Sequence, residues 1–187
     1  MTGTISDNLL NIQERIKKAA RRAGRDPGEV TVIAVTKTVE AKRVKEAISA
    51  GLRVFGENYV QEAQEKMGKF KEKSLKWHFI GHLQRNKIAK TLPHIELFHA
   101  LDSERLAAGI QTWATSDGGR PIGCLVEVNL SGESTKGGIT AAAARQAGAG
   151  ELIDGALYTI APNRYRLDLR RVDLATGALL RAYRVEG

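Results

Sequence analysis

Lys37 follows directly on an apolar run, Thr31-Val-Ile-Ala-Val-Thr36, whose composition predicts a β-strand. A lysine at the carboxyl end of a buried strand is partly stripped of water, and loss of hydration favours the neutral amine. A neutral amine attacks a carbonyl carbon and holds it as a Schiff base. The same position suits a lysine that finishes a strand and extends into solvent, and spacing alone leaves both readings open. Four further strand-like runs also end in polar residues: Gly56-Glu57-Asn58, Gly81-His82, Asp102-Ser103 and Asn129-Leu-Ser131. In β/α folds the carboxyl ends of the strands form the active face, so polar residues at all five ends predict one shared rim. Asn58 and Ser103 also stand where caps of the following helices belong, and that reading stays open beside the first.

Other residues carry weaker chemistry. Ser131-Gly-Glu-Ser-Thr-Lys-Gly-Gly138 predicts a loop whose backbone N–H groups suit an anion, but it lacks the Gly-Lys-Ser/Thr order of a P-loop. His78 and His82 are four apart yet straddle a strand end, so no metal site is assigned to them. Cys124, inside an apolar strand, reads as core rather than nucleophile. Lys66, Lys69, Lys71, Lys73 and Lys76 read as the solvated end of a helix. With no aromatic residues interleaved among the basic ones, no nucleic-acid partner is assigned.

The elements that must hold these residues alternate. Leu9, Ile12, Ile16 and Ala19 recur at helical spacing before Gly24 and Pro27, predicting a leading amphipathic helix. Thr31–Thr36 then precedes a helix through Val44, Ala47 and Ile48. Arg53-Val-Phe55 precedes a helix carrying Val60, Ala63 and Met67, and Trp77-His-Phe-Ile80 precedes a short helix with Ile88 and Leu92. Glu96-Leu-Phe-His99 precedes a helix with Leu106, Ile110 and Trp113, and Ile122–Val128 is a fifth strand. Strands joined through helices return in the same direction, so the sheet is predicted parallel. Periodicity fits an open doubly wound sheet and part of a barrel equally well.

The last 47 residues follow another pattern. Leu152–Ile160, Arg164–Leu169 and Ala178–Val185 read as three strands separated by turns at Pro162-Asn163 and Ala175-Thr-Gly177, an antiparallel meander. Composition changes with them. Residues 1–140 hold 13 Lys and 9 Arg against 16 acids, whereas 141–187 hold 7 Arg, no Lys and 5 acids. Three regions are therefore expected: a β/α domain over 1–140, an Ala/Gly-rich connection over 141–150, and a β-meander over 151–187.

The whole chain has 187 residues and a formal charge of +8, with 42% apolar and 27% charged residues, as in globular rather than disordered proteins. No apolar run approaches the roughly 20 residues of a membrane helix, so no membrane partner is expected. Asp7 and Glu14 interrupt the first 20 residues, which do not read as a signal peptide, and the expected compartment is the cytoplasm. A closed (β/α)₈ barrel needs roughly 250 residues, more than are present.

Four motifs together carry a family resemblance: Val32-Ile-Ala-Val-Thr-Lys37, Phe55-Gly-Glu-Asn-Tyr-Val-Gln-Glu62, Trp77-His-Phe-Ile-Gly-His-Leu-Gln-Arg-Asn-Lys87, and Val128-Asn-Leu-Ser-Gly-Glu133 with Lys136 and Gly138. Over about residues 5–140 the chain closely resembles the pyridoxal-phosphate homeostasis protein family. The resemblance implies a TIM-barrel-like β/α fold of the alanine racemase N-terminal type, here incomplete at about five strands. It implies pyridoxal 5′-phosphate (PLP) held by a Schiff-base lysine at the position of Lys37, with Asn58 and His82 at polar positions near the cofactor. It also implies a monomer without an assigned reaction, which buffers the free cofactor or hands it to apo-enzymes. A racemase-like catalyst is the alternative, and would need an acid/base partner such as Tyr59. The resemblance ends near Thr140, before the Ser- and Gly-rich loops that hold the phosphate in that family. Residues 155–180 instead resemble the closing strands of a TolB-like domain, which makes a fused or truncated chain without cofactor binding a further alternative.

Overall fold

The computed structural model describes residues 3–129, 137–146, 151–161, 164–173 and 179–186. Two compact units divide between Leu125 and Val126.

The first unit opens with helix α1 (Ile5–Arg22), started by a reciprocal capping box between Thr4 and Asp7. Its inward stripe differs from the expected one. Leu9 and Ala20 are buried, whereas Ile12 is 43% exposed and Ala19 faces solvent. The stripe therefore runs Ile5, Leu9, Ile16, Ala20, at spacings of four, seven and four.

Strands β1 (Ala34–Val35), β2 (Val54–Glu57), β3 (Lys76–Phe79), β4 (Leu97–Leu101) and β5 (Gly123–Val126) form one sheet in the order β1-β2-β3-β4-β5. The pairings β1–β2, β2–β3 and β3–β4 are parallel. A sequential order has no point at which the winding reverses, which separates a barrel-type sheet from a doubly wound one. Helices α2 (Ala41–Ser49), α3 (Val60–Lys69), α4 (Ile88–Thr91) and α5 (Glu104–Ala114) supply the crossovers.

Those helices cover one face of the sheet. Phe55, Trp77, Phe79, Phe98 and Ala100 pack there with Val44 and Ala47 of α2, Ala63 of α3, Ile88 of α4, and Leu106, Ile110 and Trp113 of α5. Alternation sends the intervening residues to the opposite face. A Cβ on Gly56 would meet Ile33 and Ile80 at 3.3 and 3.5 Å, which groups these three residues on that second face. Val35 and Leu125 alternate with Ala34 and Cys124 of the packed side and are 50% and 48% exposed.

In the second unit, α6 (Ala141–Gln146) forms the first six residues of the Ala/Gly-rich connection. Alanine is the strongest helix former, and the Thr140 hydroxyl accepts from the Ala143 N–H at 3.1 Å, which starts a helix where low complexity suggests a linker. The expected meander is present as β6 (Glu151–Ala161), β7 (Arg164–Asp173) and β8 (Leu179–Glu186), antiparallel in that order. The turns at 162–163 and 175–177 lie outside the described residues, as does 147–150 of the connection. Among the described residues no helix is long and apolar enough to cross a membrane.

Candidate functional site

The carboxyl ends of β1 to β4 form a continuous rim. Thr36 N–H donates to the Gly56 carbonyl and Ile80 N–H to the Glu57 carbonyl, continuing both ladders beyond their strands. Lys37 follows β1, which pairs with β2 through Val35↔Gly56, so it stands at the same end of the sheet as Asn58. Lys37 occupies a turn and is exposed, so the desolvation expected for its amine is not the local environment observed. The cause is the brevity of β1, which ends at Val35 and releases the chain before residue 37.

Asn58 does not cap α3. Tyr59 holds that position, 51% exposed and without a side-chain cap bond, while Asn58 is half-buried at the bend after β2. Its main chain presses on the next loop: a Cβ on Gly81 would lie 2.2 Å from the Asn58 carbonyl oxygen, so only glycine fits there. Directly after it, His82 is exposed, and its Nδ1 lies 3.4 Å from Asp102 Oδ2 at the end of β4. Ser103 does cap, accepting the Leu106 N–H on α5 at 3.3 Å. Thus the structure brings Asn58 against Gly81 and His82 against Asp102. Lys37 follows β1, the strand paired with β2.

Beneath Lys37 lies a group of residues that spacing did not reveal. Glu57 belongs to β2 rather than to the loop after it, and faces α3, fully buried. Lys66, read from sequence as solvated, is only 6% exposed, and its Nζ lies 2.9 Å from Glu57 Oε1. That ammonium also donates to the Thr36 carbonyl at 2.5 Å and lies 3.3 Å from Glu62 Oε2. Thr36 Oγ1 donates to Glu57 Oε1 at 2.5 Å, and Thr38 N–H donates to Glu62 Oε2 at 2.8 Å. The Thr38 amide, and secondarily Lys66, hold the Glu62 carboxyl below the usual carboxylate range. The available signal was Lys66 three residues after Ala63 on the inward stripe, and four after Glu62. By contrast Lys69 and Lys76 lie at the surface, paired with Glu65 and Glu96.

On the second face, His78 Nδ1 and His99 Nε2 are 3.0 Å apart, so one ring donates and the other accepts. Burial lowers both imidazole pKa values, and for His78 the neighbouring His99 adds to it. Cys124 packs at the edge of the core, where burial pushes its thiol up and away from thiolate chemistry. Among the described residues no three His, Cys, Asp or Glu side chains group as metal ligands. Residues 131–136 of the Gly- and hydroxyl-rich loop lie outside the described residues.

A sequentially ordered parallel sheet with a lysine just past its first strand defines a barrel-type β/α protein. Residues 8–154 match the family described as alanine racemase, N-terminal domain, and the chain belongs to that family. Within it the chain is similar to the pyridoxal phosphate homeostasis protein of Pseudomonas aeruginosa, 42% identical over 135 residues, and to that of Escherichia coli K12, 41% over 138. Each match takes in 72% of this chain and 58% of the relative, so the chain spans less than two thirds of their length. Among solved structures it is similar to PipY of Synechococcus elongatus with PLP bound. There the TM-score is 0.58 and the identity 34%, covering 70% of this chain and 60% of that one. The crystal structure of an unknown protein from Bifidobacterium adolescentis matches with TM-score 0.66 and 35% identity, over 76% of this chain and 61% of that one. The family match runs over residues 8–154, while the matches to the two curated relatives span 135 and 138 residues, in keeping with the extent of about 5–140 expected for that resemblance.

Proposed function

We propose that this chain binds pyridoxal 5′-phosphate as a Schiff base on Lys37 and serves intracellular cofactor homeostasis without catalytic turnover. The observation that carries this reading is an exposed primary amine just past the carboxyl end of β1, at the same end of the sheet as Asn58, in a chain whose relatives include PipY with PLP bound. The curated relatives are named as homeostasis proteins, which supports storage or delivery over turnover. The donor set fits the cofactor's aldehyde and ring: an amine for the carbonyl, an amide at Asn58, and the imidazole of His82 steadied by Asp102. Bound there, the cofactor supplies an electrophilic aldehyde that an amine captures reversibly, with release of water. Lys37 provides that amine, and Asn58 and His82 orient the ring. The reading gives free PLP and apo-enzymes that use it as partners of a cytoplasmic monomer.

The test is an absorbance titration of the full chain with PLP, followed by borohydride reduction and peptide mapping. A saturable Schiff-base band with the reduced adduct on Lys37, both lost in Lys37→Ala, is the expected result. A band that survives Lys37→Ala, or adducts scattered over surface lysines, refutes the assignment.

A further inference from the structure

We infer that the buried Glu57–Lys66 pair, with Glu62, is the positioning device for Lys37, acting through the residues on either side of it; this rests on the reading of Lys37 as the attachment point. Burying an ion pair is expensive, and two apolar side chains of similar volume would join α3 to the sheet at least as well. What apolar side chains would not do is grip the β1 turn. Lys66 donates to the Thr36 carbonyl, Glu57 accepts the Thr36 hydroxyl, and Glu62 accepts the Thr38 N–H. Lys66 also lies within reach of both carboxylates, so the contacts on residues 36 and 38 meet at one ammonium.

Thr38 shows why a grip is needed. Its φ is +60°, a left-handed conformation that a β-branched residue resists and that persists only where its surroundings impose it. Among the described residues Glu57 Oε2 is buried without a hydrogen-bond partner, and the carboxylate is held through Oε1, by Thr36 and Lys66. The two flanking residues are thus fixed from below while residue 37 between them is exposed. An amine presented from a fixed turn loses less freedom on capturing a carbonyl than one on a mobile loop.

The experiment uses the full chain and three variants. Glu57→Leu/Lys66→Met replaces the pair by apolar side chains, Glu62→Ala removes the acceptor of Thr38 from a half-buried site, and Glu62→Gln keeps an acceptor without charge. Hydrogen exchange at the Thr38 amide is measured without cofactor, and the PLP concentration for half-maximal borohydride-trapped Lys37 adduct is measured separately. Exchange is expected to rise, and the half-saturating PLP concentration to increase, by about tenfold in the double variant and in Glu62→Ala, with Glu62→Gln restoring most of both. Folded variants with unchanged Thr38 exchange and unchanged half-saturation overturn the positioning role while leaving Lys37 as the site. If the double variant does not fold, the Glu62→Ala and Glu62→Gln comparison decides alone. If the unsubstituted chain forms no Lys37 adduct, the reading of the site falls and the positioning role falls with it.

Discussion

The two faces of the five-stranded sheet are built from the same strands and have opposite fates. On the helix-covered face Phe55, Phe79 and Phe98 are fully buried, and even the ionised groups there are enclosed and paired. On the other face Val35 and Leu125, on the first and last strands, remain about half exposed, and on the inner strands a buried His78 meets a half-buried His99. In a closed barrel that second face becomes the interior, filled by side chains from every strand. Covering by helices is a local affair, completed crossover by crossover, whereas filling a barrel needs the whole circuit. In keeping with that difference, the second face is buried at Gly56 and His78 on the inner strands and exposed at Val35 and Leu125 on the outer ones.

Substitutions across the sheet test this contrast. Phe79→Ala on the covered face should lower the unfolding free energy by about 3–5 kcal/mol, measured by urea titration. Ser103→Ala, which removes the α5 cap at the rim, should cost about 1 kcal/mol in the same assay. Acid should act through the second face. The folded state holds His78 and His99 below the ordinary imidazole value of about 6.5, so the unfolded chain takes up protons that the folded one refuses. This contribution is present above that value and is lost as pH falls through it. A melting series from pH 8 to pH 5 should show the decline, and His99→Gln should flatten it, with Glu96 and Lys76 the charged neighbours unchanged. Smallest of all, Val35→Thr should leave stability within about 0.5 kcal/mol. A loss comparable to that of Phe79→Ala would mean that Val35 is packed rather than half exposed.

What the sequence disclosed follows the same division. Apolar runs and helical stripes are written in single elements, so β1 to β5, the inward residues of α2, α3 and α5, and the antiparallel tail were all legible. Lys66 was not, because its partner Glu57 lies on another element and a lysine among lysines looks solvated. Nor was Glu57 legible as a strand residue facing a helix, since polar residues at strand ends suggest a loop. Residues 141–146 form a helix where composition suggests a linker for another reason: an alanine run looks featureless as composition but is strongly helical as backbone. The rim residues Lys37, Asn58 and His82 could be picked out from motif spacing. The shortness of β1, which leaves Lys37 in water, depends on pairing with β2 and is written in neither strand alone.

The contact between Gly81 and the Asn58 carbonyl has a consequence for how this chain tolerates change. With no room for even a methyl group, position 81 should appear in a saturation library as a column holding one letter. The exposed position 82 beside it should accept many residues when the selection is for folding, and few when it is for ligand capture. The ratio between those two neighbouring columns would then separate, within a single sequencing run, the demands of architecture from those of chemistry.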